Sequence, residues 1–226
     1  MRTRRTWLLG LLATFIAFSA KAGVYEDFFR AVHADDVATV QKLLARGVDP
    51  NWPNEKGVPA LILSIQLETA KMPLLLISQP QIQLEAQSAD GETALMMAAF
   101  LNRLDVAEAL IERGAEVNRK GWTALHYAAT KGHIAMMRLL LEHNAYIDAE
   151  APNGNTPVMM AAQFAPPLAT KLLLEEGADP NLVNNLQRSA LDLALMNDRQ
   201  QTAFYIRAFL EAWEVNERAQ QEAPKD

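Results

Sequence analysis

The chain has 226 residues, half of them hydrophobic, with 10 glycines, 11 prolines and no cysteine. That much apolar material excludes a disordered bulk, and the missing cysteines exclude disulfides, thiol catalysis and zinc–thiolate sites. The formal net charge of −6 argues against nucleic acid and anionic lipid as partners, because an acidic surface repels phosphates.

Residues 1–22 read as a segment separate from the fold. Arg2, Arg4 and Arg5 form a positive head, Trp7 to Phe18 an apolar core, and Ala20-Lys21-Ala22 a small-x-small cleavage pattern. This is the layout of a secretory signal peptide, too short for a comfortable membrane span. Arg4-Arg5 also resembles a twin-arginine signal, but the general secretion route is the simpler expectation. The expected mature chain starts at Gly23. Of the 21 basic residues, four lie in the leader, which leaves 17 against 27 acidic ones, a net charge near −10. The expected location is the bacterial periplasm. With no cysteine, the fold must hold there by packing alone.

From Tyr25 onward the chain repeats a two-helix pattern. The clearest copy is residues 121–148, GWTALHYAATKGHIAMMRLLLEHNAYID. Thr123 precedes an apolar run as a helix N-cap. Leu125, Ala128 and Ala129 recur at helical spacing. Lys131-Gly132-His133 breaks the first helix, and Ile134 to Leu141 forms the second. Asn144 tolerates the left-handed turn that ends it. The cap position reads Thr93, Thr123, Thr156 and Ser189, and the helix-end position reads Gly47, Gly114, Asn144 and Gly177. An aliphatic pair in the second helix is read at Leu43-Leu44, Leu76-Ile77, Leu110-Ile111, Leu139-Leu140, Leu172-Leu173 and Tyr205-Ile206. The cap spacing is 33 residues, except for 30 between Thr93 and Thr123.

In chain order, six repeats are expected. Residues 25–54 form a capping repeat with Asp35-Asp36 at its helix turn. Residues 55–87 form the weakest copy, with Pro59 in place of the cap and Pro80 in place of the turn glycine. Pro73 falls in the first turn of a helix, where the missing N–H costs little. Residues 88–118 return to pattern behind an Asp90-Gly91 turn. Residues 119–151 are three residues short at the tip. Residues 152–184 use Pro166-Pro167 to end one helix and begin the next. Residues 185–218 close the array with a second helix expected from Gln200 to Trp213, followed by a frayed tail over 219–226.

The segments TALMMAA (93–99), TALHYAA (123–129) and TPVMMAA (156–162) resemble the ankyrin repeat, whose period is about 33 and whose signature is T-P-L-H-x-A. The resemblance covers residues 25 to 215. It implies an all-α, ankyrin-repeat solenoid of about six helix-turn-helix units joined by short β-hairpin-like loops, filling residues 23–218. It also implies that His126, at the motif position, and His133, in the loop between helices, bond backbone and hold repeats in register.

No hydrolase elbow, P-loop, zincin, dinucleotide or EF-hand pattern occurs. No carboxylate pair is spaced to converge in a cleft. The expectation is therefore a binding protein without catalytic activity or cofactor, monomeric, with a protein partner. An ankyrin-like stack presents its first helices and loop tips on one concave side. The row there reads Met97, Phe100 and Leu101; Tyr127, Thr130 and Lys131; Met160, Gln163 and Phe164; Leu193, Met196 and Asn197. Some of these pack as ordinary core in one reading. In the other they form an adaptable apolar groove, since Met repacks readily and aromatics dominate interface energetics. The candidate partner-binding residues are Trp52, Met97, Phe100, Lys120, Trp122, Tyr127, Asn155, Met160 and Phe164. Two rival expectations stand beside it: an inhibitor or immunity-type protein that blocks a toxic enzyme, and an enzyme with an unrecognised site.

Overall fold

The computed structural model describes residues 23–222. The leader read over residues 1–22 and the last four residues of the tail lie outside the described residues. The chain divides into two compact units at Gly91 and Glu92.

The first unit holds helices α1 (described over residues 23–33), α2 (Val37–Ala45), α3 (Ala60–Gln66) and α4 (Met72–Ile77). Phe28 and Val32 of α1 are fully buried, with Val40 and Leu43 of α2 beside them. Asp36 caps α2, accepting from the Thr39 N–H at 3.0 Å and the Thr39 hydroxyl at 2.6 Å. Asp35 does something the sequence did not announce. It sits at φ +53, a conformation Asp tolerates better than most residues. Its carboxylate reaches the next repeat, accepting from the N–H groups of Ala70, Lys71 and Met72 at 3.1, 3.1 and 2.8 Å. Those are orphan donors at the start of α4. Helix α4 has no side-chain cap of its own and carries Pro73 in its first turn, so its cap comes from the preceding repeat. Helix α3 starts after Pro59, beside an isolated Pro53–Pro59 β-bridge, and buries every residue from Ala60 to Ile65.

The second unit holds α5 (Ala94–Phe100), α6 (Leu104–Glu112), α7 (Ala124–Lys131), α8 (Ile134–Glu142), α9 (Pro157–Phe164), α10 (Pro167–Glu175), α11 (Ala190–Met196) and α12 (Gln200–Glu222). Helices α5, α7, α9 and α11 pack side by side, with α6, α8, α10 and α12 as the second row. The alanines are why the first row closes up. Ala98, Ala99, Ala128, Ala129, Ala161, Ala162 and Ala194 are all fully buried, and a methyl group lets neighbouring backbones approach. Pro166 and Pro167 separate α9 from α10 as the sequence implies. Gly114, Asn144 and Gly177 all take positive φ, at +90, +60 and +99.

Two corrections follow. A buried aliphatic residue of the second helix falls at Leu43, Leu76, Leu110, Leu140 and Leu173, each four residues before the turn position, with Ile206 as the counterpart in α12. The pairs read at Leu139-Leu140, Leu172-Leu173 and Tyr205-Ile206 were therefore one residue out of register with Leu110-Ile111. Helix α12 continues past Trp213 to Glu222. The hairpin-like character of the loops is slight: among the described residues it amounts to isolated bridges at Pro53–Pro59 and Val183–Ser189.

Candidate functional site

The site grows from the start of α7. Thr123 has extended backbone angles, φ −119 and ψ 164, which place it just outside the helix. Its backbone N–H donates to His126 Nδ1 at 3.2 Å, and its hydroxyl lies 2.9 Å from the same nitrogen. Because Nδ1 accepts, the ring proton belongs on Nε2, which donates to the Asn155 carbonyl oxygen of the next repeat at 3.0 Å. His126 is fully buried. Burial pushes its pKa down to about 4, since a charged imidazole there would lose its water. It is neutral at neutral pH with both nitrogens engaged, so it is not available as a general acid or base. His133 plays the parallel role one turn on, its Nε2 3.0 Å from the Phe100 carbonyl oxygen.

Asn155 continues the ladder. Its side-chain oxygen accepts from Asn184 Nδ2 at 2.8 Å, and its amide nitrogen lies 3.5 Å from Met160 Sδ. Two adjoining repeats are thus joined beneath the surface through His126 and Asn155, and Asn184 extends the ladder to the end of the second. Gly154 is required next to this ladder. Its φ is +76, and a Cβ there would meet the Asn185 backbone nitrogen at 2.8 Å.

Above the ladder lies a hollow of about 190 Å3 lined by Phe100, Trp122, His126, Tyr127, Thr130 and Met160. Tyr127 is its centre. Its ring meets Phe100 at 6.1 Å and 80°, and Trp122 at 6.4 Å and 71°. Trp122 also stands edge-on to His126 at 5.3 Å. The Tyr127 hydroxyl donates to Glu92 at 3.3 Å, and the Thr130 hydroxyl donates to the His126 carbonyl at 2.7 Å. The ammonium of the exposed Lys131 sits 4.3 Å from the Phe100 ring centre. The lining is therefore mainly aromatic and thioether, and the His126 ring and the Tyr127 and Thr130 hydroxyls are bonded within the protein.

Of the nine residues singled out from the sequence, this hollow unites Phe100, Trp122, Tyr127 and Met160. Met160 is 8% exposed and forms part of the lining rather than a free contact. Met97, 7% exposed, faces the packing of α5 and is core. Asn155, also 7% exposed, belongs to the ladder and not to a rim. Lys120 is exposed at a loop tip, and Phe164 is 52% exposed on α9, though neither lines the hollow. Trp52 lies in the first unit, half-buried, with Tyr25 at 5.6 Å and Phe28 at 5.9 Å. It closes an aromatic cluster there, and the Tyr25 hydroxyl donates to the adjoining Pro53 carbonyl at 3.0 Å. The sequence reading missed Glu92 and the lining role of His126. The resemblance did imply a structural His126, but nothing in the sequence placed Glu92 beside a tyrosine 35 positions on.

Among the described residues, no group of three or more His, Asp or Glu side chains could hold a metal ion, and no helix is long and apolar enough to cross a membrane.

Comparison with known proteins agrees with this architecture. A family model described as "Ankyrin repeats (3 copies)" matches residues 28–121, 74–151 and 115–184. The chain is 37% identical over 108 residues to Neurogenic locus notch homolog protein 1 of Mus musculus, covering 46% of this chain and 4% of the relative. It is 24% identical over 209 residues to SH3 and multiple ankyrin repeat domains protein 2 of Homo sapiens, covering 76% and 11%. The chain thus spans only a small part of the length of the curated relatives it matches. Among solved structures it resembles a chain of the complex of the Bd0816 predatory endopeptidase from Bdellovibrio bacteriovorus with immunity protein Bd3460. That match has a TM-score of 0.70 and 28% identity, covering 80% of this chain and 97% of that one. It also resembles an ankyrin repeat domain from Acinetobacter baumannii AYE, with a TM-score of 0.70 and 21% identity, covering 80% and 96%. None of these matches points to a catalytic family. Matched over most of its length, and built from stacked helical pairs whose capping threonine, motif histidine and turn glycines fall in phase, the chain belongs to the ankyrin repeat family, an all-α solenoid architecture of protein–protein interaction modules.

Proposed function

We propose that this chain is an exported, non-catalytic binding protein of the bacterial periplasm that holds its protein partner on the hollow of α7. One observation carries the reading. Three large aromatic side chains, each only half-buried, and a methionine are gathered around a space the size of a side chain. Half-exposed aromatic residues are the usual anchors of an interface, and the His126 ring and the Tyr127 and Thr130 hydroxyls are already bonded within the protein. Location in the periplasm rests on the charge and cleavage pattern of residues 1–22.

The test is affinity capture from a periplasmic extract with the chain from Gly23 onward, against the double variant Trp122→Ala, Tyr127→Ala. The expected outcome is a partner retained by the native surface and lost by the variant, with the melting transition of the two within a few degrees. Equal capture by both would move the binding surface elsewhere. Cell fractionation checks the location directly.

A second reading is favoured by the resemblance to a chain of the endopeptidase–immunity protein complex. On that reading the partner is a degradative enzyme that this chain blocks. Stoichiometric loss of the captured partner's hydrolytic activity on adding the purified chain separates it from simple tethering.

A further inference from the structure

We propose that the hollow on α7 receives a single cationic side chain, an arginine or a lysine, from a basic partner protein. This rests on the reading above that the hollow is the binding surface, and adds the chemistry of its guest.

The rings carry the argument first. Phe100 and Trp122 each stand nearly perpendicular to Tyr127, at 80° and 71°. Rings set at right angles form a corner rather than a stack, and each ring face is the negative side of its quadrupole. A cation held close to such a face is attracted to it, most strongly where water is partly excluded. The molecule already contains one instance: the Lys131 ammonium rests 4.3 Å from the centre of Phe100. Lys131 is exposed and lies on the same helix, so it acts as a stand-in that a better-placed cation displaces.

Charge points the same way. The Glu92 carboxylate, held by the Tyr127 hydroxyl at 3.3 Å, puts a negative charge at the edge of the aromatic corner. The chain as a whole carries a formal −6, which draws a basic partner toward it before contact. The hydroxyls of Tyr127 and Thr130 are already engaged within the protein and do not compete for the guest. The methylene stem of an arginine or lysine can lie on Met160 and the ring edges while its charged head meets the ring faces.

The experiment uses the chain from Gly23 onward and follows the Trp122 indole N–H resonance, identified with Trp122→Phe. The probes are N-acetyl-arginine methylamide, N-acetyl-lysine methylamide and N-acetyl-leucine methylamide, at matched ionic strength. The expected result is a saturable shift with both cationic probes and an affinity at least about threefold weaker for the leucine probe. Lys131→Ala, an exposed change that leaves the core untouched, should tighten the cationic probes by about threefold and leave the leucine probe unmoved. Glu92→Gln should weaken the cationic probes only, by about threefold, with the loss shrinking as salt rises. A leucine probe that binds as well as or better than the cationic ones overturns the cationic guest while leaving the hollow as a binding surface. Weaker cation binding by Lys131→Ala overturns it too. No saturable shift with any probe overturns both this proposal and the placement of the binding surface.

Discussion

The repeat at residues 55–87 and the repeat at 119–151 solve the same problem in opposite ways. The later one supplies the cap of α7 and both of its turns from its own residues. Thr123 and His126 bond each other across the start of α7, and Gly132 and Asn144 turn the chain at φ +72 and +60. The earlier one has Pro59 where a cap belongs, a six-residue α4 and no glycine at its end. It survives because Asp35 caps α4 from the repeat before and because α3 is buried on every residue from Ala60 to Ile65. A repeat held by its neighbours has no face to spare. A repeat that closes its own ends can leave Trp122 and Tyr127 at the surface, and the candidate site is on that one.

Four experiments break or sharpen this contrast. The largest effect is expected where the two repeats agree. Leu76→Ala and Leu140→Ala both empty a fully buried position and should each cost about 3 kcal/mol, read as a lower urea midpoint. Next comes a pH effect confined to the later repeat. The folded His126 pKa is about 4, whereas the unfolded imidazole titrates near the ordinary value of about 6.5. Between those values the unfolded chain binds a proton that the folded chain refuses, so stability falls as the pH falls through the window, by about 3 kcal/mol in all. Urea midpoints from pH 7.5 to 4 should show it, and His126→Gln should flatten the slope. Asp148 acts with the opposite sign: burial raises its carboxyl pKa, so the folded form gains a proton more readily and offsets part of the acid loss.

A smaller effect tests the borrowed cap. Asp35→Ala leaves the first donors of α4 without their partner and should cost about 1 kcal/mol. Asp35→Asn should recover part of that by keeping an acceptor. The same replacement has no counterpart in the later repeat, where Gly132 occupies the turn before α8. The smallest expected change is a gain. The hydroxyls of Thr170 and Thr202 are buried without a partner, at positions on α10 and α12 where α8 carries Met137 and Met136. Thr170→Val and Thr202→Val should each be neutral or stabilise by up to about 1 kcal/mol, visible as an unchanged or raised Tm.

Much of the architecture was legible because each repeat carries its own punctuation. Capping hydroxyls, turn glycines and paired alanines act over three to five residues, so spacing alone places them. The site was legible in part. Phe100, Tyr127 and Met160 were marked by their place in the row and Trp122 as a loop-tip candidate, and the structure gathers them. Met97 and Met160 occupy the same position in the repeats on either side of the one that carries Tyr127, yet only Met160 lines the hollow. Asn155 was taken for a tip residue and proved to be a buried link, since its side-chain oxygen is claimed by Asn184, 29 positions on, and its carbonyl by His126.

The sequence by itself determined that the chain is a helical repeat array with closed helix ends, because those signals are local and recur in phase. Only the tertiary structure decided which side chains remain at the surface, where Asp35 spends its carboxylate, and that Glu92 faces Tyr127. Those outcomes depend on which repeat packs against which flank of its neighbour. That geometry joins residues about 30 positions apart, and no spacing within a single repeat encodes it.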